Sequence, residues 1–244
     1  MIELRILGTP DVRDDSGGEL RSVVAQPKRL ALLAYLALAS HRGFCRRDVL
    51  LGLFWPEAGT ERARGALRQA VHHLRKALGP DVLVSRGDSD LGVDPARLRC
   101  DACEFSRLLD EGRPEEALCL YQGVLLPGLD VAGTDGFERW VDRERERLAE
   151  RAERAALALA TSAAREGRGP EAVEWARRTL ALSPGNERAL RCLMETLGRS
   201  GDGTGAVRAF RLFARWLRTE LDMEPSTETR ALAEAIAQER LLPG

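Results

Sequence analysis

The sequence lacks the patterns that mark membrane spans and the commonest catalytic centres. Its longest apolar run, Leu30 to Ala39, falls well short of the roughly 18 residues that a helix needs to cross a bilayer. It contains no Gly-x-x-x-x-Gly-Lys-Ser/Thr loop, no Gly-x-Ser-x-Gly elbow and no His-Glu-x-x-His helix. We therefore expect a protein that has no membrane partner and that is not an enzyme.

Cysteines are few, and their spacing is irregular. The five are Cys45, Cys100, Cys103, Cys119 and Cys192. Cys100-x-x-Cys103 invites a metal or a redox interpretation, but a structural zinc needs four ligands, and the other cysteines and the histidines show no paired spacing. The odd number and scattered positions indicate a reducing, cytoplasmic environment. The sequence predicts neither a metal nor a cofactor.

Charge is balanced over the whole chain but not between its two halves. The formal net charge is −1, yet residues 1–100 carry 16 Lys and Arg against 12 Asp and Glu, whereas residues 101–244 carry 21 against 26. A basic module joined to an acidic one is consistent with nucleic-acid binding by the first half alone.

The segment from Thr60 to Gly79 carries most of the functional information. At about 3.6 residues per turn, its apolar residues form one stripe: Ala63, Leu67, Ala70, Val71, Leu74 and Leu78. The opposite face carries the hydrogen-bond donors Arg62, Arg68, Gln69, His72, His73 and Lys76, with Arg64 and Arg75 at its edges. Thr60 is the predicted N-cap, and Gly79 followed by Pro80 is the predicted end.

Two interpretations of this donor face are open. A charged stripe on a helix is often only a solvated surface. Solvated helices, however, usually mix both signs, whereas Glu61 is the single acid here. Arg and Gln also present paired hydrogen-bonding groups that match purine edges in the major groove. We therefore interpret the segment as a helix that contacts double-stranded DNA.

The elements around this helix predict a winged helix-turn-helix domain over residues 1–97. Strands are expected at Met1–Leu7, Val12–Arg13 and Leu20–Val24, helices at Pro27–Ala39 and from Arg46 to Trp55, and a hairpin at Val82–Val84 and Leu91–Val93. His41, Arg42 and Gly43 are predicted to end the first helix. In this architecture the third helix enters the major groove and the hairpin reaches an adjacent groove or phosphates.

Three further arginines are candidate phosphate contacts. Arg46 and Arg47 lie at the predicted start of the second helix, where free backbone N–H groups also favour phosphate. The alternative is that both are ordinary exposed arginines. In the hairpin, Arg86 and Ser85 are the candidates, although Asp88 and Asp90 at the tip oppose phosphate binding.

From Asp101 onward only helical patterns occur, and they repeat. The pattern Gly-x-x-x-x-Ala-(Leu/Val) begins at Gly112, Gly167 and Gly201, and the last two copies are 34 residues apart, which is the tetratricopeptide period. A longer helix is expected from Asp135 to Glu166. We predict an all-α, tetratricopeptide-like helical repeat domain over residues 98–244 that offers a groove to a protein partner. The chain as a whole is predicted to be mainly α.

Motifs in both halves resemble one family. The succession PKRLALLAYLAL, RRDVLLGLFWP and ALRQAVHHLRKALG, followed by the hairpin, resembles the OmpR-type winged helix of the SARP family of actinomycete antibiotic regulatory proteins. The segments YQGVLLPGL and FERWV resemble the bacterial transcriptional activation domain that follows this winged helix in the family. One departure is the hairpin, which lacks the usual Gly-Gly-Tyr closing sequence.

The resemblance implies a sequence-specific transcriptional activator. Family members bind direct repeats in promoters with protomers side by side, which implies a homodimer on DNA, and they recruit RNA polymerase. The loop Pro56–Gly59 and the helical half would face the polymerase. The alternative function is an interaction scaffold in which the winged helix packs on a protein and never touches DNA.

Overall fold

The structure, a computed structural model, describes residues 1–40 and 43–239. By their contacts the residues group into two units, Met1–Leu148 and Ala149–Gly244, and the division falls within one long helix. A division by contacts does not define which segments fold on their own. The domain boundary between residues 97 and 98 therefore stays a prediction.

Strands occur only in the first hundred residues of the described chain, and helices alone follow. The first group comprises β1 (Ile2–Arg5), β2 (Asp11–Arg13), α1 (Arg21–Val24), α2 (Pro27–Ser40), β3 (Cys45–Arg46), α3 (Arg47–Phe54), α4 (Thr60–Leu78), β4 (Leu83–Arg86), β5 (Asp90–Val93) and β6 (Leu98–Cys100). The second comprises α5 (Asp101–Asp110), α6 (Pro114–Leu120), α7 (Asp135–Arg165), α8 (Gly169–Leu182), α9 (Glu187–Arg199), α10 (Gly203–Leu221) and α11 (Thr227–Glu239). No helix among these residues is both long enough and apolar enough to span a bilayer.

The first sheet has the order β2-β1-β6 and differs from the sequence prediction. The prediction of a strand at Leu20–Val24 is wrong, because this segment forms the single-turn helix α1. The N–H of Ala25 donates to the carbonyl of Arg21 at 2.8 Å and closes the turn. Val23 is buried in this conformation, so packing overrides the strand preference of its β-branched side chain. The third strand is β6, which lies parallel to β1 and is distant from it in sequence.

Helices α2, α3 and α4 and the wing follow the predicted order. The helix from Pro27 and the hairpin around Gly87 are confirmed, and the short strand β3 adds to the hairpin to give the sheet order β3-β5-β4. The predicted end of α2 at His41 and Arg42 lies outside the described residues. Thr60 is not the N-cap of α4: it is already helical, and Gly59 takes that position, with its carbonyl accepting from the N–H of Ala63 at 3.0 Å.

An aromatic cluster joins the start of α7 to α2 and α3 within the first unit. The ring of Phe137 lies 5.0 Å from that of Phe54, and the ring of Trp140 lies 4.7 Å from that of Tyr35. Phe54 and Phe137 are almost fully buried. A Cβ on Gly136 would approach Leu53 to 3.2 Å, so the backbone of α7 passes α3 closely at this point. The first turn of α7 is therefore part of the core that supports the DNA-reading elements predicted from sequence.

The repeated glycines lie in turns, and the repeated alanines lie in the core. Each glycine lies between two helices and has a positive φ: +74° for Gly112, +76° for Gly167 and +83° for Gly201. Glycine adopts this backbone conformation without a steric penalty. The matching alanines Ala117, Ala172 and Ala206 are fully buried. Small side chains at these positions let adjacent helices approach closely.

The second unit is built from stacked helices around its own core. Helix α9 packs on both α8 and α10, and α11 packs on α9 and α10. Asn186 caps α9 by accepting from the N–H of Ala189 at 2.9 Å, and Asp202 caps α10 by accepting from the N–H of Gly205 at 2.8 Å. The core residues include Leu190, Leu193, Met194, Leu197, Phe213, Leu217 and Ile236.

We expect Phe137→Ala to lower the free energy of unfolding by about 3–5 kcal/mol, because it removes a buried ring and leaves a cavity beside Phe54. Chemical denaturation followed by circular dichroism measures this change. Val124→Ala is the matched control, since Val124 is 50% exposed and its truncation should leave stability nearly unchanged. Equal stability of the two variants would contradict a supporting role for the aromatic cluster.

Candidate nucleic-acid interface

Helix α4 is divided into a buried face and an exposed face. All six residues of the predicted apolar stripe are buried. Of the eight predicted donor residues of this helix, Arg75 at the edge is half-buried and seven are exposed: Arg62, Arg64, Arg68, Gln69, His72, His73 and Lys76. The packing of the stripe thus directs the polar side chains of α4 to the surface, along one side of a regular helix of 19 residues.

Most of these side chains are not engaged within the protein. Among the residues described, the side chains of Arg62, Arg68, Gln69 and Lys76 make no hydrogen bond or ion pair. Arg64 pairs with Glu61 at 3.1 Å, and both partners are well exposed. An exposed pair of this kind contributes little to stability, so Arg64 can exchange its partner at small cost.

The positive charge on this surface extends beyond α4. The pKa of His73 is lowered from its ordinary value, chiefly by the positive charge of Arg29 on α2, then by partial desolvation, and then by His72 and Lys76. The rings of His72 and His73 lie 5.8 Å apart. The lowered pKa favours the neutral form of His73, and Arg29, which no sequence pattern singled out, belongs to the same basic surface.

Two arginines meet at one hydroxyl where the wing joins the helices. Arg47, on α3, donates from Nη2 to Ser85 Oγ at 3.2 Å, and Arg75, on α4, donates from Nη2 to the same atom at 3.1 Å. Arg75 also donates to the carbonyl of Leu83 from Nε at 3.1 Å and from Nη2 at 2.9 Å. Arg75 therefore fastens β4 to α4.

This meeting point carries uncompensated positive charge. In the part of the chain that the structure describes, neither Arg47 nor Arg75 pairs with a carboxylate, and the Nε of Arg47 is buried without a hydrogen-bond partner. A buried donor without a partner is costly. Two guanidinium groups that share one neutral hydroxyl form an arrangement that an anion would stabilise.

The remaining two predicted phosphate contacts lie on either side of Asp90. Arg46 and Arg86 are both register partners of Asp90, on β3 and β4 respectively. Arg86 pairs with Asp90 at 3.0 Å and lies over the ring of Phe44 at 4.8 Å. Arg46 pairs with Asp48 at 3.6 Å. Arg86 is thus less available to an incoming phosphate than the arginines and lysine on α4. The exposed pair of Arg46 with Asp48, like that of Arg64 with Glu61, can be exchanged at small cost.

The structure brings together residues that sequence analysis did not connect. It places the α4 donors on one surface and connects Arg47 to the wing through Ser85. Sequence analysis missed the role of Arg75, because its bonds to Leu83 and Ser85 depend on where the hairpin packs. Within residues 1–40 and 43–239, no group of three or more His, Cys, Asp or Glu side chains could hold a metal ion.

Comparison with known proteins places this chain among bacterial regulators. A family model described as the bacterial transcriptional activator domain matches residues 100–237. Regulatory protein AfsR of Streptomyces coelicolor is 29% identical over 225 residues, which cover 87% of this chain and 22% of AfsR. Regulatory protein AfsR of Streptomyces griseus is 28% identical over 251 residues, which cover 96% of this chain and 24% of that protein. The chain therefore spans less than a quarter of the length of these curated relatives.

A solved structure has the same fold. The structure of Mycobacterium tuberculosis EmbR, determined in complex with a low affinity phosphopeptide, aligns with a TM-score of 0.66 and 23% sequence identity. The alignment covers 99% of this chain and 66% of EmbR. The predicted fold class is confirmed: a mainly α protein with a winged helix followed by tetratricopeptide-like helices.

Proposed function

Because the chain belongs to the bacterial transcriptional activator domain family and is a transcriptional regulator of the SARP type, we propose that it is a sequence-specific activator that binds double-stranded DNA and recruits RNA polymerase. The family is one of transcriptional regulators and not of enzymes. The observation that supports DNA binding most directly is the exposed donor face of α4, whose members Arg62, Arg68, Gln69 and Lys76 have no partner among the described residues.

In this proposal, α4 lies in the major groove. Arg68, Gln69 and His72 lie nearest to base edges, and Arg62, Arg64, His73 and Lys76 are shared between bases and phosphates. Exposure of these side chains supports the proposal because they need not break strong internal bonds before they contact DNA. The buried stripe on the other side holds the helix rigid, which lowers the entropy lost on binding.

The wing and the start of α3 supply phosphate contacts. The pair Arg47 and Arg75, which converge on Ser85, supports a phosphate at this position, since an anionic oxygen would satisfy the free Nε of Arg47 and offset the like charges. Arg86 contributes less, because Asp90 already neutralises it, whereas Arg46 in its exposed pair with Asp48 stays available.

In this proposal each of the two predicted domains has its own role. Residues 1–97 bind DNA, and residues 98–244 form the transcriptional activation domain. Two protomers lie side by side on direct repeats, about one helical turn apart, as expected for winged helices that read successive major grooves on the same face of the duplex. The loop Pro56–Gly59 is largely exposed, which supports its proposed role, together with the helical half, in contacting RNA polymerase.

We expect Arg68→Ala and His72→Ala each to weaken binding to DNA selected by the wild-type chain from a random pool. Loss of one good base contact costs about 1–3 kcal/mol, or roughly 5- to 150-fold in affinity, and relaxes sequence preference at the contacted position. Gel-shift titration measures both. Arg5→Ala is the control, since Arg5 is an exposed arginine on β1 that pairs with Glu3. Unchanged affinity and preference in both α4 variants would rule out α4 as the reading helix.

Salt dependence distinguishes the activator from the scaffold. Contacts with phosphate release counterions, so the logarithm of the affinity falls linearly with the logarithm of the salt concentration. We expect Arg47→Ala to weaken binding to all sequences alike and to reduce this slope by about 1, whereas Arg5→Ala leaves it unchanged. A flat slope for the wild-type chain would favour a scaffold whose winged helix does not bind DNA.

Recruitment of RNA polymerase is tested by in vitro transcription. The reaction contains purified RNA polymerase holoenzyme and a promoter that carries the selected direct repeats. The wild-type chain should raise transcript yield, and Arg68→Ala should abolish the increase, because the activator must be bound upstream to act. Glu57→Ala, in the exposed loop, should retain DNA affinity and lose part of the increase. No increase by a wild-type chain that occupies the repeats would show that it binds DNA without activating.

A further inference from the structure

Cys100 and Cys103 lie at the start of one helix, at two positions whose side chains face each other. Cys100 is the last residue of β6 and the N-cap of α5, and Cys103 is the third residue of that helix. Side chains at the N-cap and the third position are close neighbours, which is why they can exchange capping hydrogen bonds. The same spacing lies within the range of Cα separations that a disulfide spans.

The surroundings of the two thiols differ. Cys100 is 4% exposed and is paired with Leu4 in the first sheet. Cys103 is half-buried, and its Sγ donates to the carbonyl of Ala37 on α2 at 3.5 Å. Cys103 is thus the more accessible thiol, and Cys100 lies behind it.

The pKa values of the two thiols also differ, and the more exposed thiol has the lower pKa. A hydrogen bond from the Cys100 thiol lowers the pKa of Cys103, and the same interaction together with complete burial raises the pKa of Cys100. The backbone N–H of Cys103 points towards the sulfur of Cys100 and opposes part of this rise. Because Cys103 is the more exposed of the two thiols and its pKa is lowered, it is the candidate nucleophile of the pair, and Cys100 is the candidate resolving thiol.

The proposed DNA-binding function makes no use of this pair, and the described residues supply no third ligand that would complete a metal site. We propose that Cys100 and Cys103 form a dithiol site that closes into an intramolecular disulfide on reaction with a peroxide. The site is independent of the proposed DNA-binding function.

The reaction is balanced in two steps. The thiolate of Cys103 attacks one oxygen of hydrogen peroxide, the O–O bond breaks, and the products are a sulfenic acid and, after protonation, one water. The sulfur of Cys100 then attacks the sulfur of the sulfenic acid, an S–S bond forms, and the second water leaves with the thiol proton. The two thiols lose two electrons, and one peroxide becomes two waters. The bond from Cys103 to the Ala37 carbonyl is lost.

The full chain is treated with one equivalent of hydrogen peroxide and analysed by intact mass and by peptide mapping without reduction. We expect a loss of about 2 Da, corresponding to two thiol hydrogens, a linked peptide that contains Cys100 and Cys103, and a fall from five free thiols to three. Dithiothreitol should restore all five. Mapping of the wild-type chain needs no variant and is the primary readout.

Matched single variants then assign the roles. Cys100→Ser should stop at a sulfenic acid on Cys103, detected as an adduct with dimedone, while Cys103→Ser should leave Cys100 unmodified. Cys119→Ser and Cys192→Ser should form the disulfide as the wild type does. The proposal is overturned if no Cys100–Cys103 peptide forms, if the exposed Cys119 consumes the peroxide first, or if Cys100→Ser yields no adduct on Cys103.

Discussion

The burial of one stripe of α4 determines the orientation of the opposite face. Residues such as Leu67, Leu74 and Leu78 remove apolar surface from water when they pack against the rest of the first unit. Rotation of the helix about its axis would expose that surface and bury arginines without partners, and both changes are costly. The exposed position of Arg68 and His72 therefore follows from hydrophobic packing of the opposite face and from the cost of burying polar side chains without partners.

A second constraint is electrostatic. Most arginines of the first unit pair with nearby acids, as Arg86 does with Asp90 and Arg107 with Glu104. Arg62 and Arg68 on α4 and the pair Arg47 and Arg75 are among the exceptions in the part of the chain that the structure describes. Positive charge that is left without acids on one surface attracts an anionic partner and accelerates its association. The distribution of acids, more than the number of arginines, thus distinguishes a candidate DNA surface from an ordinary solvated face.

The helical part depends on small residues at fixed places. Gly167 and Gly201 supply backbone conformations that other residues rarely adopt, and Ala172 and Ala206 allow close helix contacts. Within the first unit, Phe137 and Trp140 bring the start of α7 against α2 and α3. The segment that the family model matches therefore shares a core with the winged helix at its N-terminal end.

The sequence by itself determined the helices with strong periodicity. The bounds of α4, the position of the wing around Gly87 and the turns at the repeated glycines all follow from local patterns, because apolar spacing and backbone preference are properties of neighbouring residues. The donor set of α4 followed in the same way, and its role in binding DNA stays a prediction. The family resemblance predicted a transcriptional regulator, and the comparisons confirm this prediction.

Only the tertiary structure decided the pairing of distant segments. Leu98–Cys100 completes the first sheet in place of Leu20–Val24, Arg75 fastens the wing, and Arg47 meets it at Ser85. None of these contacts joins residues within one helix or one hairpin, so no periodic pattern reports them. They depend on which surfaces meet when the chain packs, and that outcome is set by the sum of many burial and hydrogen-bond terms across the whole unit.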